Sequence, residues 1–326
     1  MSMKIVLAGD VGGTSTRLGI FDISGPRPQA SISRTFATRD FSGISSMTTA
    51  FLLEAKVHPS SIHAACFGAA GPVLNGVAQL TNAPVRVDAA AIEKDTGISR
   101  VSLLNDLEAL AYAVPVLSPD EVRVLQEGRP AAGGAIAVIA AGTGLGEAVL
   151  YTVNGRIVAK ASEGGRADFA ARTDRDIVVL RELTLTYGRA AVEDVVAGVG
   201  LVHIHKALHK SCRAGIDFDD PKAPAAVSAA AMARRCPGCV DALDAFVEAY
   251  GAEAGNLALR TVATGGVYIG GGIAPKILPA LTNGPFLAAF RAKAPFTAML
   301  DAMPVKVILN SDAGLLGAAS FSAAVS

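Results

Sequence analysis

Two stretches of this chain share one design, and it narrows the fold more than any other feature. Residues 4–21 read "KIVLAGDVGGTSTRLGIF" and residues 135–151 read "AIAVIAAGTGLGEAVLY". Each is an apolar, strand-like run, then a glycine-rich turn, then a second strand-like run. A dinucleotide site would need G-x-G-x-x-G between a strand and a helix. Here Gly9, Gly12 and Gly13 have a different spacing, and no Gly-Lys-Ser/Thr follows as in a Walker A loop. The pattern predicts a β-hairpin whose tip presents backbone N–H groups and the Thr14 hydroxyl. Consecutive amides in a tight turn form an anion-binding concavity. The second tip carries Gly142, Thr143, Gly144 and Gly146. One such hairpin is weak evidence, because turns recruit glycine anyway. Two of them, each opening a mixed α/β half, predict a duplicated fold that clamps a polyphosphate between its halves.

Two further features extend this reading. Asp10 ends the first strand and can hold Mg²⁺ directly or through water. The segment "GGVYIGGGIAPKIL" (265–278) is a short buried strand, Val267 to Ile269, followed by Gly270, Gly271 and Gly272 and a helix beginning near Pro275. An ordinary strand-to-helix turn would look the same. Beside two phosphate hairpins, three glycines also suit a flat adenosine laid on bare backbone.

The carboxylates are the next candidates. "VSLLNDLEALAYAV" (101–114) is a strand ending at Asn105-Asp106 and a helix with Leu107, Leu110, Ala111 and Val114 at helical spacing. Asp106 suits an N-cap. Paired with Asn105 it can also grip a hydroxyl and accept its proton as general base. Glu163 precedes Gly164, Gly165 and Arg166 in "ASEGGRADFA". Glu193 and Asp194 stand near the start of a short helix, where charge–dipole complementarity alone would place them. Between them a helix is predicted from about Thr173 to Tyr187, with Ile177, Leu180, Leu183 and Tyr187 as its apolar stripe and Gly188 as its stop.

Composition excludes several classes. Charged residues make up 18% of the 326, below the usual level of about a quarter, and hydrophobic residues 51%. The chain can therefore build large cores. Lys+Arg and Asp+Glu both number 29, so no basic excess points to nucleic acid. Asp10 and Arg17 interrupt the first apolar stretch, unlike a signal peptide, and no apolar run reaches the roughly 18 residues a membrane span needs. A cytoplasmic location without membrane attachment is expected. Four cysteines do not make a disulfide scaffold in a chain of this length. Cys236 and Cys239 form "CPGC", but a structural zinc site needs two more ligands. They read as a reduced pair on a loop. His203, His205 and His209 fall close together, with His205 and His209 four apart on a predicted helix, and no metal is expected there.

Taken together, the chain resembles the bacterial glucokinase family, within the hexokinase-like, actin-like ATPase superfamily. The resemblance rests on "LAGDVGGT", Asn105-Asp106-Leu107, "AAGTGLG", "SEGGRADFA", "AGVGLVH", "GGVYIGGGI" and "DAGLLGA", in the family's order and spacing nearly end to end. It implies an α/β, two-domain actin-like ATPase (ribonuclease H-like) fold with mixed sheets and an inter-domain cleft. A small domain would take 1–107 plus 314–326, and a large one 108–313.

The implied activity is ATP-dependent phosphorylation of glucose at its 6-hydroxyl, the first step of glycolysis, with Mg²⁺. The resemblance makes Asp106 the base, and Asn105, Glu163, Glu193 and Asn82 the sugar ligands. Gly9, Asp10, Val11, Gly12, Gly13 and Thr14, with Gly142, Thr143 and Gly144, would line the nucleotide phosphates. Gly271 and Gly272 would lie by the adenosine. A homodimer is expected, because homodimers are common in the family.

One position departs from the pattern. The family's "EGGH" reads "EGGR" here, so a histidine is replaced by Arg166. Arginine donates only and stays charged. It either donates to a sugar oxygen, pairs with Glu163, or crowds glucose and shifts preference to another hexose. A non-catalytic sugar-sensing relative is the remaining reading. Such regulators usually carry a helix-turn-helix domain ahead of the kinase core, whereas this chain opens at its first strand. ROK sugar kinases carry a cysteine-rich zinc motif beside "EGGH", and no such cluster follows Glu163 here.

Overall fold

The computed structural model describes residues 4–81 and 83–326. Asn82, expected as a sugar ligand, lies outside the described residues. The chain divides into two compact units. The first comprises Met1–Ser118, Ala159–Ala161 and Asn310–Ser326, and the second Pro119–Val158 and Ser162–Leu309.

The first unit is built on strands β1 (Ile5–Val11), β2 (Ser15–Asp22), β3 (Gln29–Ala37), β4 (Ile62–Ala69), β5 (Val73–Leu74), β6 (Val77–Gln79), β7 (Arg86–Asp88) and β8 (Val101–Asn105). The main sheet has the order β3-β2-β1-β4-β8, and β5-β6-β7 form a small one. β1 pairs antiparallel with β2 and parallel with β4, which runs parallel to β8. β1 is apolar at nearly every position because it is central and covered on both faces. Asn75 and Gly76 both have positive φ, the primed turn that Asn-Gly sequences favour between short strands.

Helix α1 (Ile44–Ala55) buries Ile44, Met47, Phe51 and Leu52, one face at helical spacing. Asp88 caps α2 (Ala89–Thr96) by accepting the Ala90 and Ala91 N–H groups. α3 (Asp106–Ala113) follows β8 directly. A boundary after residue 107 would therefore cut a helix, and the first unit instead runs on to Ser118.

In the second unit β9 (Val122–Gln126), β10 (Ile136–Ala141), β11 (Leu145–Val153), β12 (Arg156–Ser162), β13 (Gly266–Gly270) and β14 (Val305–Ile308) form one sheet, ordered β12-β11-β10-β13-β14-β9. The first five repeat the plan of the other sheet. An antiparallel hairpin is followed by parallel strands at its first member, and each hairpin holds one of the glycine turns. The expected duplication is present.

The helices here are α4 (Asp174–Tyr187), α5 (Gly198–Leu208), α6 (Ala223–Met232), α7 (Pro237–Thr261), α8 (Leu278–Thr282), α9 (Pro285–Arg291) and α10 (Thr297–Ala302). α7 buries Leu243, Phe246, Tyr250, Ala254 and Leu257, one stripe at helical spacing. Each large side chain so removed from water contributes about 1.5–3 kcal/mol. Thr173 caps α4 and Gly188 ends it at φ 80°, as expected. Its buried face is different, however. Val179 and Leu183 are inside, whereas Ile177 and Tyr187 are more than half exposed. Asp176 takes a core position because its carboxylate pairs with the Arg172 guanidinium and accepts the Arg172 backbone N–H. The helix expected near Pro275 begins as a 3₁₀ turn, Ala274–Ile277.

Helix α11 (Ala313–Val325) belongs to the first unit. A methyl added to Gly317 would fall 1.7 Å from the Ala109 carbonyl, so only glycine lets α11 lie this close to α3. The Phe321 and Tyr112 rings pack 5.0 Å apart at the same junction. No helix among the described residues is long and apolar enough to cross a membrane.

Candidate active site

The parallel strands of the first unit bring their C-terminal ends to one edge. The register sets Val11 against Ala69, and Ala69 against Asn105. The glycine turn and Asp106 each begin one residue beyond this row. They are two strand spacings apart, about 10 Å. In open α/β sheets, ligands bind outside the carboxyl ends of such strands.

The turn itself is braced. The Gly12 N–H donates to the Ser15 carbonyl at 3.0 Å, closing the hairpin. The Thr38 hydroxyl donates to the Gly12 carbonyl at 2.8 Å and lies 2.9 Å from the Thr16 hydroxyl. Gly13 and Thr14 are exposed at the tip. Gly9 and Val11 are not part of the tip. They are buried in β1, and a methyl on Gly9 would strike Phe67 at 2.3 Å. The Thr38 brace is not visible in the sequence, because Thr38 lies 26 positions beyond Gly12.

Asn105, not Asp106, is the N-cap of α3. Its Oδ1 accepts the Leu107 N–H at 2.9 Å, and Glu108 reaches back to the Asn105 N–H at 3.2 Å, completing a capping box. The Asn105 Nδ2 donates to the Gly71 carbonyl at 3.2 Å. Asp106 is the first helical residue, half-buried, with Oδ1 accepting the Leu107 N–H at 3.0 Å. The cap therefore belongs to its neighbour, and Asp106 starts the helix, where the dipole favours a carboxylate.

Asp10 is half-buried at the end of β1. Burial holds its carboxyl above the usual range, while the Arg17 charge pulls it down. A methyl on Gly314, in the first turn of α11, would lie 3.7 Å from Asp10 Oδ2. A single carboxylate short of positive charge fits Mg²⁺, which takes one or two carboxylates and completes its shell with water and phosphate oxygens.

The second unit carries the remaining candidates. Its hairpin tip, Gly142, Thr143 and Gly144, is closed by the Gly142 N–H to the Gly144 carbonyl at 2.8 Å. The first N–H of α5, from Gly198, donates to the Gly142 carbonyl at 2.9 Å. The third glycine segment lies beside this tip because β13 runs parallel to β10. Gly271 has φ 82°, and a methyl there would sit 2.3 Å from the Ala141 carbonyl. Gly272 faces open space. Beneath both turns the buried Tyr250 hydroxyl accepts the Ala141 N–H at 3.1 Å and lies 3.4 Å from the Gly270 carbonyl.

Glu163 is exposed and stands at the N-cap position of the short turn Gly164–Arg166, with no capping bond from its side chain. Arg166 pairs with Glu193 rather than Glu163, Nη1 to Oε1 at 3.3 Å, with Asp194 at 3.9 Å. Glu193 Oε2 accepts the Leu145 N–H at 2.9 Å. Glu193 thus ties the "EGGR" turn to the second glycine turn. Glu147, absent from the sequence reading, packs under Gly164 and is 1% exposed. Burial first, and then the negative charge of Glu253, push its carboxyl up to about 7 against the pull of Arg260.

Comparison with known proteins bears on the family and the fold. The family model described as Glucokinase matches residues 7–325. A glucokinase of Nostoc sp. (strain PCC 7120) is 37% identical, covering 97% of this chain and 98% of its own. One from Klebsiella pneumoniae subsp. pneumoniae is 33% identical over 96% of this chain and 95% of its own. The crystal structure of a glucokinase from an Antarctic psychrotroph matches with a TM-score of 0.86 and 29% identity, covering 98% of this chain and 99% of that one. The fold is the two-domain actin-like ATPase fold with mixed sheets. With a family model spanning all but its ends and relatives matched over nearly their full length, the chain belongs to the glucokinase family.

Proposed function

We propose that this protein, an enzyme of that family, transfers the γ-phosphoryl group of ATP to the 6-hydroxyl of glucose. The observation that carries the reading is the common edge of the first sheet. There the register sets a glycine tip and Asp106 about 10 Å apart. That span suits a phosphate chain ending at an alcohol.

Phosphoryl transfer depends on positioning and charge neutralisation more than on covalent chemistry. Gly13 and Thr14 in one turn, and Thr143 and Gly144 in the other, donate N–H groups to phosphate oxygens, while the Gly12 and Gly142 N–H groups close the two turns that present them. Gly271 lets the nucleotide approach bare backbone, and Gly272 lies in the same stretch. Asp106 accepts the proton of the sugar hydroxyl as it attacks. Asn105, Glu163, Glu193 and Asn82 hold other hydroxyls, and Arg166 acts through Glu193. Asp10 would hold Mg²⁺, which neutralises charge on the phosphates when bound. The reaction opens glycolysis, in the cytoplasm, and the working form is a homodimer.

The test is a coupled assay with ATP and Mg²⁺ across glucose, mannose, fructose and glucosamine, with the product identified by NMR. Glucose 6-phosphate as the favoured product supports the reading. Preference for another hexose, or no ADP formed with any, overturns it.

A further inference from the structure

The cysteines and histidines that looked unconnected in the sequence meet in the second unit. Cys236 is the N-cap of α7, not a loop residue, and Cys239 lies in the first turn. Cys212 follows α5, and His205 stands in its last turn. Three Sγ atoms and an imidazole nitrogen all lie within 4.8 Å of one another. Cys212 Sγ is 3.8 Å from Cys236 Sγ and 3.8 Å from Cys239 Sγ. Sulfurs bound tetrahedrally to a zinc ion at about 2.3 Å stand about 3.8 Å apart. A disulfide requires about 2.05 Å, and all four cysteines of the chain are free thiols.

His205 supplies an independent observation. It is 0% exposed, and neither ring nitrogen has a hydrogen-bond partner. An imidazole buried without partners costs about 1–3 kcal/mol unless something binds it. A methyl on Gly238, between the two α7 cysteines, would come 2.8 Å from His205 Nε2. The nitrogen therefore faces the Cys236–Cys239 turn, and glycine leaves it room.

We propose that His205, Cys212, Cys236 and Cys239 bind one structural Zn²⁺. Three sulfurs and one nitrogen complete a tetrahedron, with no position left for water or substrate, as in closed structural sites. Soft thiolates disfavour Mg²⁺. The ion joins the C-terminal end of α5, and the loop after it, to the start of α7. The opposite end of α5 donates to the Gly142 carbonyl. The metal thus anchors the far end of the helix that buttresses the second glycine turn, about 16 Å away along 11 residues.

The experiment reads metal rather than turnover, so its outcome is separate from the kinase reading. Full-length protein purified without chelator is expected to contain about one zinc per chain by mass spectrometry. Thiol-blocking mercurials should release that zinc. Cys212→Ser and Cys239→Ser should lose most of it, while Cys66→Ala, at the cysteine in the other unit, retains it. Should the serine variants not fold, Co²⁺ added to metal-stripped wild-type protein decides the matter. Tetrahedral, sulfur-ligated cobalt gives strong visible bands and a near-ultraviolet charge-transfer band. Wild-type protein with no zinc and no such cobalt spectrum overturns the proposal, whether its thiols are free or oxidised. Zinc retained by both serine variants, or iron or copper in its place, overturns it equally.

Discussion

Arg166 Nη1 stands 3.3 Å from Glu193 Oε1, and the other Glu193 oxygen accepts the Leu145 N–H at 2.9 Å. The guanidinium is 63% exposed, so the pair adds little to stability. Its effect is on the orientation of Glu193. Arg166→Ala should raise KM for glucose about fivefold, worth roughly 1 kcal/mol, with the melting temperature unchanged. Steady-state kinetics and a thermal melt check this. An unchanged or lower KM would mean that Arg166 only crowds the sugar.

Asp106 begins α3 while Asn105 performs the capping. Asp106→Asn therefore keeps the helix start and the shape of the side chain. It should lower kcat by about 10²–10⁴-fold, the usual worth of a positioned base. Glucose affinity, measured by calorimetry, should hardly move. Retained turnover removes Asp106 from the base role.

Gly271 and Gly272 adjoin in sequence but differ in what a side chain would meet. Gly271→Ala forces a positive φ on alanine and a clash 2.3 Å from the Ala141 carbonyl, whereas Gly272→Ala enters open space. The first should destabilise by about 1–3 kcal/mol and raise KM for ATP. The second should leave stability within about 0.5 kcal/mol of the parent. Urea unfolding of both variants decides the contrast, and equal effects would contradict it.

Glu147 sets a pH dependence. Its carboxyl titrates at about 7 in the folded chain, against 4.5 without the fold. As pH rises through this window, the unfolded chain gives up its proton first. Stability therefore falls from about pH 4.5 to about pH 7 and levels off above. Glu147→Gln should remove this slope. Near pH 8 the variant should exceed the parent by on the order of 2 kcal/mol, with little difference near pH 5. Denaturant titrations at both pH values test it, and parallel profiles would show that Glu147 carries no such cost.

The parts of this molecule legible in its sequence are local ones. The glycine hairpins and the ends of α4 at Thr173 and Gly188 follow from short-range turn and capping chemistry. The buried face of α4 was not legible, since an acidic residue, Asp176, fills a core position once Arg172 pairs with it. Contacts between distant segments were equally hidden. Thr38 on Gly12, Arg166 on Glu193, and Tyr250 under Ala141 and Gly270 depend on which segments the fold stacks together. The cluster of His205 and three cysteines spans 35 positions and shows no local motif beyond a C-x-x-C.

The return of α11 to the first unit has a consequence for synthesis. That unit holds residues through Ser118, yet it lacks the helix lying on α3 until Asn310–Ser326 are made. At about 5–20 residues per second the ribosome needs roughly 10–40 s to cover the interval. During that time the Ala109 side of α3 has no cover from α11, so the packing of this unit is completed only after the whole second unit has been made.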